Sequence, residues 1–285
     1  MTVIEELIKS YNPKTLNENK LILREIVQSI VLVGLSRGGF FKKASFYGGT
    51  ALRIFHNLNR YSEDLDFTLN EKDETFNLSP YIESIKNVAT SYGLDLDISI
   101  KKKSISTPIE SAFAKLDTYQ TFIDLKIDEK LSELLNKNEV IKVKFEVDLN
   151  PSTGFSKEIK WIDIPEFARV IVLDEKSLFS GKIHALLCRN YKGNVKGRDY
   201  YDFLFYVSKG VSPNINYLKN KLVDSGVIKE DDIFNIEVLK KMLIDKFEKV
   251  DYNQVIKDAS RFLINNEDLS YYSKELFIQM ANKLK

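Results

Sequence analysis

Leu21, Ile22, Ile26, Ile30 and Val31 recur at three- and four-residue spacing, which predicts an amphipathic helix across "NENKLILREIVQSIVLVGL" with Asn17 as its N-cap. Residues 1–40 read as helical on this pattern. The period then changes. "ASFYGG" predicts a short strand ending at glycines, "TALRIFHNL" a helix capped by Thr50, and "SEDLDFTL" a strand. "SPYIESIKNVATSYG" predicts a helix ended by Gly93, and "LDLDISIKKKSIS", "YQTFIDLKI", "VIKVKFEVDL" and "ARVIVLD" alternate as strands do. From Glu175 onward the helical period dominates, in "EKSLFSGKIHALLCRN", "RDYYDFLFYVSKG", "IEVLKKMLIDKFEKV" and "SKELFIQMANKLK".

The order of these elements implies an α+β fold, a sheet with helices followed by an all-helical part. The expected domains are 1–175, including the N-terminal helices, and 176–285. Pro151, Ser152 and Gly154 interrupt the strand pattern, but no linker-like stretch separates the two parts. They are expected to pack closely, with a ligand in the cleft between them.

Composition narrows the picture only a little. Lys+Arg 42 against Asp+Glu 41 leaves a net charge of +1, so no bulk field announces a polyanionic partner. A single cysteine, Cys188, excludes an internal disulfide and suits a reducing cytoplasm. "MTVIEELIKSYN" lacks the pattern of a signal peptide, and the longest apolar run, Ile26 to Leu35, is too short to cross a membrane. The expectation is a soluble, cytoplasmic protein.

The candidate chemistry lies in "FYGGTALRIFHNLNRYSEDLDFTL". Strand alternation puts Ser62, Asp64, Asp66 and Thr68 on one face and Leu65, Phe67 and Leu69 on the other. Asp64 and Asp66 then stand about 7 Å apart along the strand, and two like charges so close call for a cation between them. A hard divalent cation held by carboxylates and substrate phosphates answers that need. Gly48-Gly49, between strand and helix, would let backbone N–H groups approach a phosphate. Two metals usually need a third acid. In "IKVKFEVDLN", Lys142, Lys144, Glu146 and Asp148 share a face, so either Glu146 or Asp148 could supply it, with Glu146 preferred.

The helical part adds a stripe of Lys182, Ala185 and Arg189, which would grip a triphosphate. Arg198 and Asp202, spaced i, i+4, are expected to pair with each other. "RNYKGNVKGRDYY" combines Arg189, Lys192, Lys196 and Arg198 with Tyr191, Tyr200 and Tyr201, a composition suited to single-stranded RNA ends. His56 and His184 are too isolated to form a zinc pair and read as surface or cleft residues. Cys188 reads as a small core residue. No GxxxxGK[ST] motif occurs, which excludes P-loop chemistry.

Gly48-Gly49-Thr50 followed by Arg60-x-Ser62-x-Asp64-x-Asp66 resembles the signature of the DNA polymerase β-type nucleotidyltransferase superfamily. More narrowly, the chain is similar to the AbiEii/AbiGii-type toxins. "LFSGKIHALLCRNYKGNVKGRDYYDFLFYV" resembles that family's Lys-x-x-Ala-Leu…Arg and Arg-Asp-x-x-Asp blocks, and "KFEVDLNP" its third-acid strand. The resemblance runs from about residue 40 to 207. It implies a polymerase β-type core, transfer of a nucleoside monophosphate from an NTP with release of pyrophosphate, and Mg²⁺ or Mn²⁺ as cofactor. It also implies a toxin used in phage defence and neutralised by an antitoxin encoded alongside, with the 3′ end of tRNA as acceptor in related toxins. On this resemblance Asp64, Asp66 and Glu146 hold metal, and Lys182 and Asp199 form the essential pair of the helical part. Gly48, Gly49, Thr50, Ser62, Lys182 and Arg189 meet the nucleotide. The rival readings are a small-molecule nucleotidyltransferase, a non-catalytic binding module on the same fold and a kinase-like phosphotransferase. "VKGRDYYD" argues against the first, and the intact Asp64, Asp66 and Lys182 against the second.

Overall fold

The computed structural model describes residues 2–101, 109–118, 120–121, 138–189, 195–264 and 269–285. Ten α-helices and seven strands occur among them. In order these are α1 (Val3–Ser10), α2 (Leu16–Arg37), β1 (Ala44–Tyr47), α3 (Gly48–His56), β2 (Asp64–Leu69), α4 (Ser79–Ser91), β3 (Asp97–Ile100), β4 (Ile109–Asp117), β5 (Val140–Asp148), β6 (Lys157–Ile162) and β7 (Ala168–Leu173). The helices α5 (Glu175–Cys188), α6 (Gly197–Ser208), α7 (Ile215–Asp224), α8 (Ile236–Phe247), α9 (Tyr252–Ala259) and α10 (Lys274–Asn282) follow. The mixed α+β class agrees with the period change along the chain. None of the described helices is long and apolar enough to cross a membrane.

The chain divides into two compact units that are not contiguous in sequence. One comprises Met1–Thr50, Glu63–Pro151 and Ile159–Val172, and the other Ala51–Ser62, Ser152–Glu158 and Leu173–Lys285. Residues 51–62 and 152–158 thus belong with the helices, which a division at residue 175 did not foresee.

The sheet has the order β3-β4-β5-β2-β1-β7-β6. β2 pairs antiparallel with β1 and parallel with β5, so residues remote in sequence become neighbours. On β5, Ile141, Val143, Phe145 and Val147 are buried while the residues between them are not, as alternation requires. Helix α2 is buried almost all round from Ile26 to Leu35. That explains its long apolar run, since a helix without a polar stripe is a core helix. Its N-cap is Thr15, whose hydroxyl accepts from Glu18 N, rather than Asn17. Gly34 lets α4 approach closely, because a Cβ there would lie 2.5 Å from Ile85 Cα.

β4 and β6 were not foreseen. "IESAFAKLD" carries good helix formers, yet Ala112, Ala114 and Leu116 are buried against neighbouring strands, so pairing overrides propensity. Most of the expected strand "YQTFIDLKI" lies outside the described residues. The second unit is built on aromatic packing, with Phe203, Phe247 and Phe277 in mutual contact and Phe179 stacked on Tyr206 at 4.5 Å.

Candidate active site

Three acids come together through strand register rather than through sequence proximity. Asp66 on β2 lies opposite Glu146 on β5, with Tyr47 beyond it on β1 and Ser111 beyond Glu146 on β4. Asp64 lies one step along the same face, opposite Lys144. Asp148 lies opposite Thr68, at the other end. Of the two acids left open on β5, Glu146 is therefore Asp66's direct neighbour. Leu65 and Phe67, on the reverse face, are buried and anchor the strand.

The Gly48-Gly49 turn meets this row directly. Gly48 has φ 85°, and a Cβ there would lie 2.2 Å from Asp66 Oδ2. Only glycine allows both the backbone conformation and the approach of the carboxylate. Helix α3 starts at Gly48 rather than at a Thr50 cap. Asp66 thus brings negative charge to a helix N-terminus, where the peptide dipoles favour it. The Thr50 hydroxyl donates to the Asp64 carbonyl at 2.5 Å and is buried. Thr50 thereby fixes the start of β2. Ser62 precedes β2 in coil and is not part of the strand face.

Glu146 accepts from Ser111 Oγ at 3.0 Å and pairs with Lys144 Nζ at 2.6 Å. With Lys144 on it, Glu146 is neutralised by the chain itself. Among the described residues no group of three acidic, histidine or cysteine side chains is arranged to hold an ion as the side chains stand. Donor type and register both fit a hard divalent cation. Asp64 is exposed, and the Lys144 ammonium marks where positive charge is already accepted. Lys144 and Ser111 were overlooked as site residues, although alternation had put Lys144 and Glu146 on one face.

The helical unit holds a second cluster. Asp202 on α6 is fully buried and receives two hydrogen bonds from Arg60, Nε to Oδ1 at 2.7 Å and Nη2 to Oδ2 at 2.6 Å. Lys182 Nζ on α5 reaches the same Oδ2 at 2.8 Å. Burial alone would raise the Asp202 pKa, but Arg60 and Lys182 outweigh it and hold the carboxyl at about 2. Burial likewise opposes the charge on Arg60, and Asp202 overrides it, so the guanidinium pKa is raised. The Tyr206 hydroxyl is pushed well above its usual range by burial and then by the charge of Asp202.

One expected pairing is corrected here. Lys182 pairs with Asp202, and Asp199 is held by Arg189. Arg198 does not pair with Asp202, since its guanidinium lies 4.0 Å over the Phe262 ring. The reason is depth. Asp202 is on the buried side of α6, where, among the described residues, Arg60 and Lys182 reach it. Sequence gave a hint of both missed partners, Arg60 in Arg-x-Ser-x-Asp-x-Asp and Asp202 in "RDYYD", but not of their contact.

The basic-aromatic segment 189–201 is described only at Arg189 and from Val195 onward. Tyr200 and Tyr201 are buried, Tyr200 among Phe247, Tyr252 and Phe277. Tyr191 and Lys192 lie outside the described residues. Gly197 has a packing role, because a Cβ there would come within 2.0 Å of the Val255 carbonyl on α9. His56, its side chain 7% exposed, lies between Glu158 and Glu175 at 3.9 and 3.5 Å. His184 contacts Ser225 Oγ at 2.7 Å, and burial, with Lys221 second, lowers its pKa to about 4. Burial raises the Cys188 thiol, so it is poorly ionised at neutral pH.

A family model described as "Nucleotidyl transferase AbiEii toxin, Type IV TA system" matches residues 30–272. No curated protein sequence matches significantly. Among solved structures, JHP933 from Helicobacter pylori is similar with a TM-score of 0.53 at 19% identity, covering 92% of this chain and 90% of that one. A candidate nucleotidyltransferase from H. pylori is similar with a TM-score of 0.50 at 19% identity, covering 92% of each chain. These likenesses concern the fold.

Proposed function

The chain belongs to the AbiEii nucleotidyl transferase toxin family, and from that premise we propose that it transfers a nucleoside monophosphate from an NTP to an RNA acceptor, the 3′ end of tRNA. Nucleotidyl transfer and membership of a toxin–antitoxin system follow from the family. The acceptor, the dependence on Mg²⁺ or Mn²⁺ and the residue roles are our reading, as are cytoplasmic action and a part in phage defence.

The observation that carries it is the row Tyr47–Asp66–Glu146–Ser111 with Asp64 beside it, on a face closed at one end by the Gly48 turn. Asp64, Asp66 and Glu146 would hold the cation. When bound, that cation neutralises phosphate charge and polarises the phosphorus toward attack. Glu146 is held in place by Ser111 and Lys144, so a bound cation would compete with the Lys144 ammonium for its carboxylate. Gly48 and Gly49 are assigned to phosphate through their backbone N–H groups. Lys182, with its ammonium fixed by Asp202, is assigned to the triphosphate, and residues 176–285 to its support. An antitoxin is the partner that the family implies.

The test is incubation of the purified protein with each α-labelled NTP, total RNA and Mg²⁺, beside Asp64→Asn. We expect label on RNA of tRNA size, abolished by chelator and by Asp64→Asn while the melting temperature is kept. Label confined to small molecules would favour the antibiotic-modifying type of enzyme. No transfer with any NTP would leave a binding module.

A further inference from the structure

The strand order ends on β6, so its outer edge has no strand beside it among the described residues. One face of β6, carrying Lys157, Ile159 and Trp161, is exposed. Ile159 is 51% and Trp161 61% exposed, and the adjoining turn adds Ile164 at 39% and Phe167 at 78%. Four large apolar side chains clustered along an open edge form a surface that soluble proteins usually cover or blunt.

The sequence of this edge is complementary to itself. When two copies of a strand pair antiparallel across a two-fold axis, side chains of like parity meet. Centred on Ile159, "KEIKW" sets Glu158 against Lys160 of the second copy, Lys157 against its Trp161, and Ile159 against its Ile159. Every cross-strand pair is then opposite in charge, cation on aromatic, or apolar on apolar. Shifting the centre to Lys160 opposes two lysines, and shifting it to Glu158 opposes two glutamates. The charges therefore select one register among those that parity allows.

We propose that β6 is a homotypic interface at which two copies of this chain pair antiparallel about Ile159 and continue the sheet across the dimer axis. The contact is one short strand and a few side chains, so the association is weak and concentration-dependent rather than obligate. It does not rest on the catalytic reading, because none of these residues belongs to the acidic row or to the Lys182 cluster. The partner is a second copy because the complementarity is of the strand with itself.

The experiment is sedimentation velocity over roughly two decades of micromolar concentration, together with emission from Trp161, the only tryptophan in the chain. The wild-type protein should pass from monomer to dimer as Trp161 emission shifts to the blue. Glu158→Lys alone, or Lys160→Glu alone, converts both charged pairs of the dimer from attraction to repulsion and should weaken it at least tenfold. The double variant Glu158→Lys/Lys160→Glu restores both pairs and should restore dimerisation. Circular dichroism on each variant checks the fold, and Lys160→Glu serves if Glu158→Lys disturbs His56. A wild-type protein that stays monomeric throughout overturns the proposal and leaves the patch to a different protein. A dimer indifferent to the single reversals, or not rescued by the double one, overturns it as well.

Discussion

Replacing Asp202 by asparagine removes one negative charge from a place where it faces two cations. The carboxylate is fully buried, Arg60 grips both of its oxygens, and Lys182 shares one of them. The fall of its pKa from 3.8 to about 2, against the effect of burial, corresponds to roughly 2 kcal/mol of preference for the charged form. The asparagine also leaves Arg60, only 2% exposed, without the carboxylate it is hydrogen-bonded to. Removing one partner of a buried pair typically costs about 3–5 kcal/mol. We expect a loss near the lower end of that range, which at roughly 2–4 °C per kcal/mol lowers the melting temperature by about 10 °C. The pH dependence has a definite sign. A carboxyl whose folded pKa lies below 3.8 contributes fully above that value and loses its contribution as the pH falls toward 2. Thermal melts of both proteins from neutral pH downward should therefore converge at the acidic end. Replacing Arg60→Met together with Asp202→Leu should recover part of the loss, because Arg60 is then no longer stranded, whereas Lys182 still loses its partner. A drop below about 2 °C at neutral pH, or a difference unchanged at the acidic end, would refute the reasoning.

Gly48→Ala should abolish nucleotide transfer at modest expense in stability, about 1–3 kcal/mol, because the new Cβ must displace the Asp66 carboxylate and φ 85° is strained for alanine. Melts and labelled-NTP transfer measured side by side decide this, and full activity would rule out a close Gly48–Asp66 contact. Gly197→Ala pushes α6 against the α9 backbone and should destabilise by about 1–3 kcal/mol or more, read from denaturant midpoints. His184 has a folded pKa of about 4, so its contribution is complete above 6.5 and is lost as the pH falls from 6.5 toward 4. His184→Gln should flatten the stability profile over that window, and an unchanged profile would place the titration elsewhere.

Much of the acidic site was legible because a strand's alternation is local. Asp64, Asp66 and Thr68 against Leu65, Phe67 and Leu69 needs no knowledge of what the strand packs on, and the burial of Leu65 and Phe67 follows it. The same rule offered Glu146 and Asp148 equally, since both point the same way along one strand. Choosing between them needs the register of β5 on β2, which no local pattern contains. β4 does not show in the sequence because its composition favours a helix, and its burial comes from pairing with β3 and β5.

The sequence by itself determined the α+β class, the two helix-flanking glycines and the acidic face, because each rests on the period of a single element or on one residue's backbone freedom. Only the tertiary structure decided the partners of the buried charges. The spacing of Arg198 and Asp202 suggested a pair, yet Asp202 is satisfied by Arg60, 142 residues away, and by Lys182. A desolvated carboxylate takes the cations buried with it rather than those nearest in sequence, because an ion pair is strongest where water is absent, and which groups share that place is fixed by packing alone.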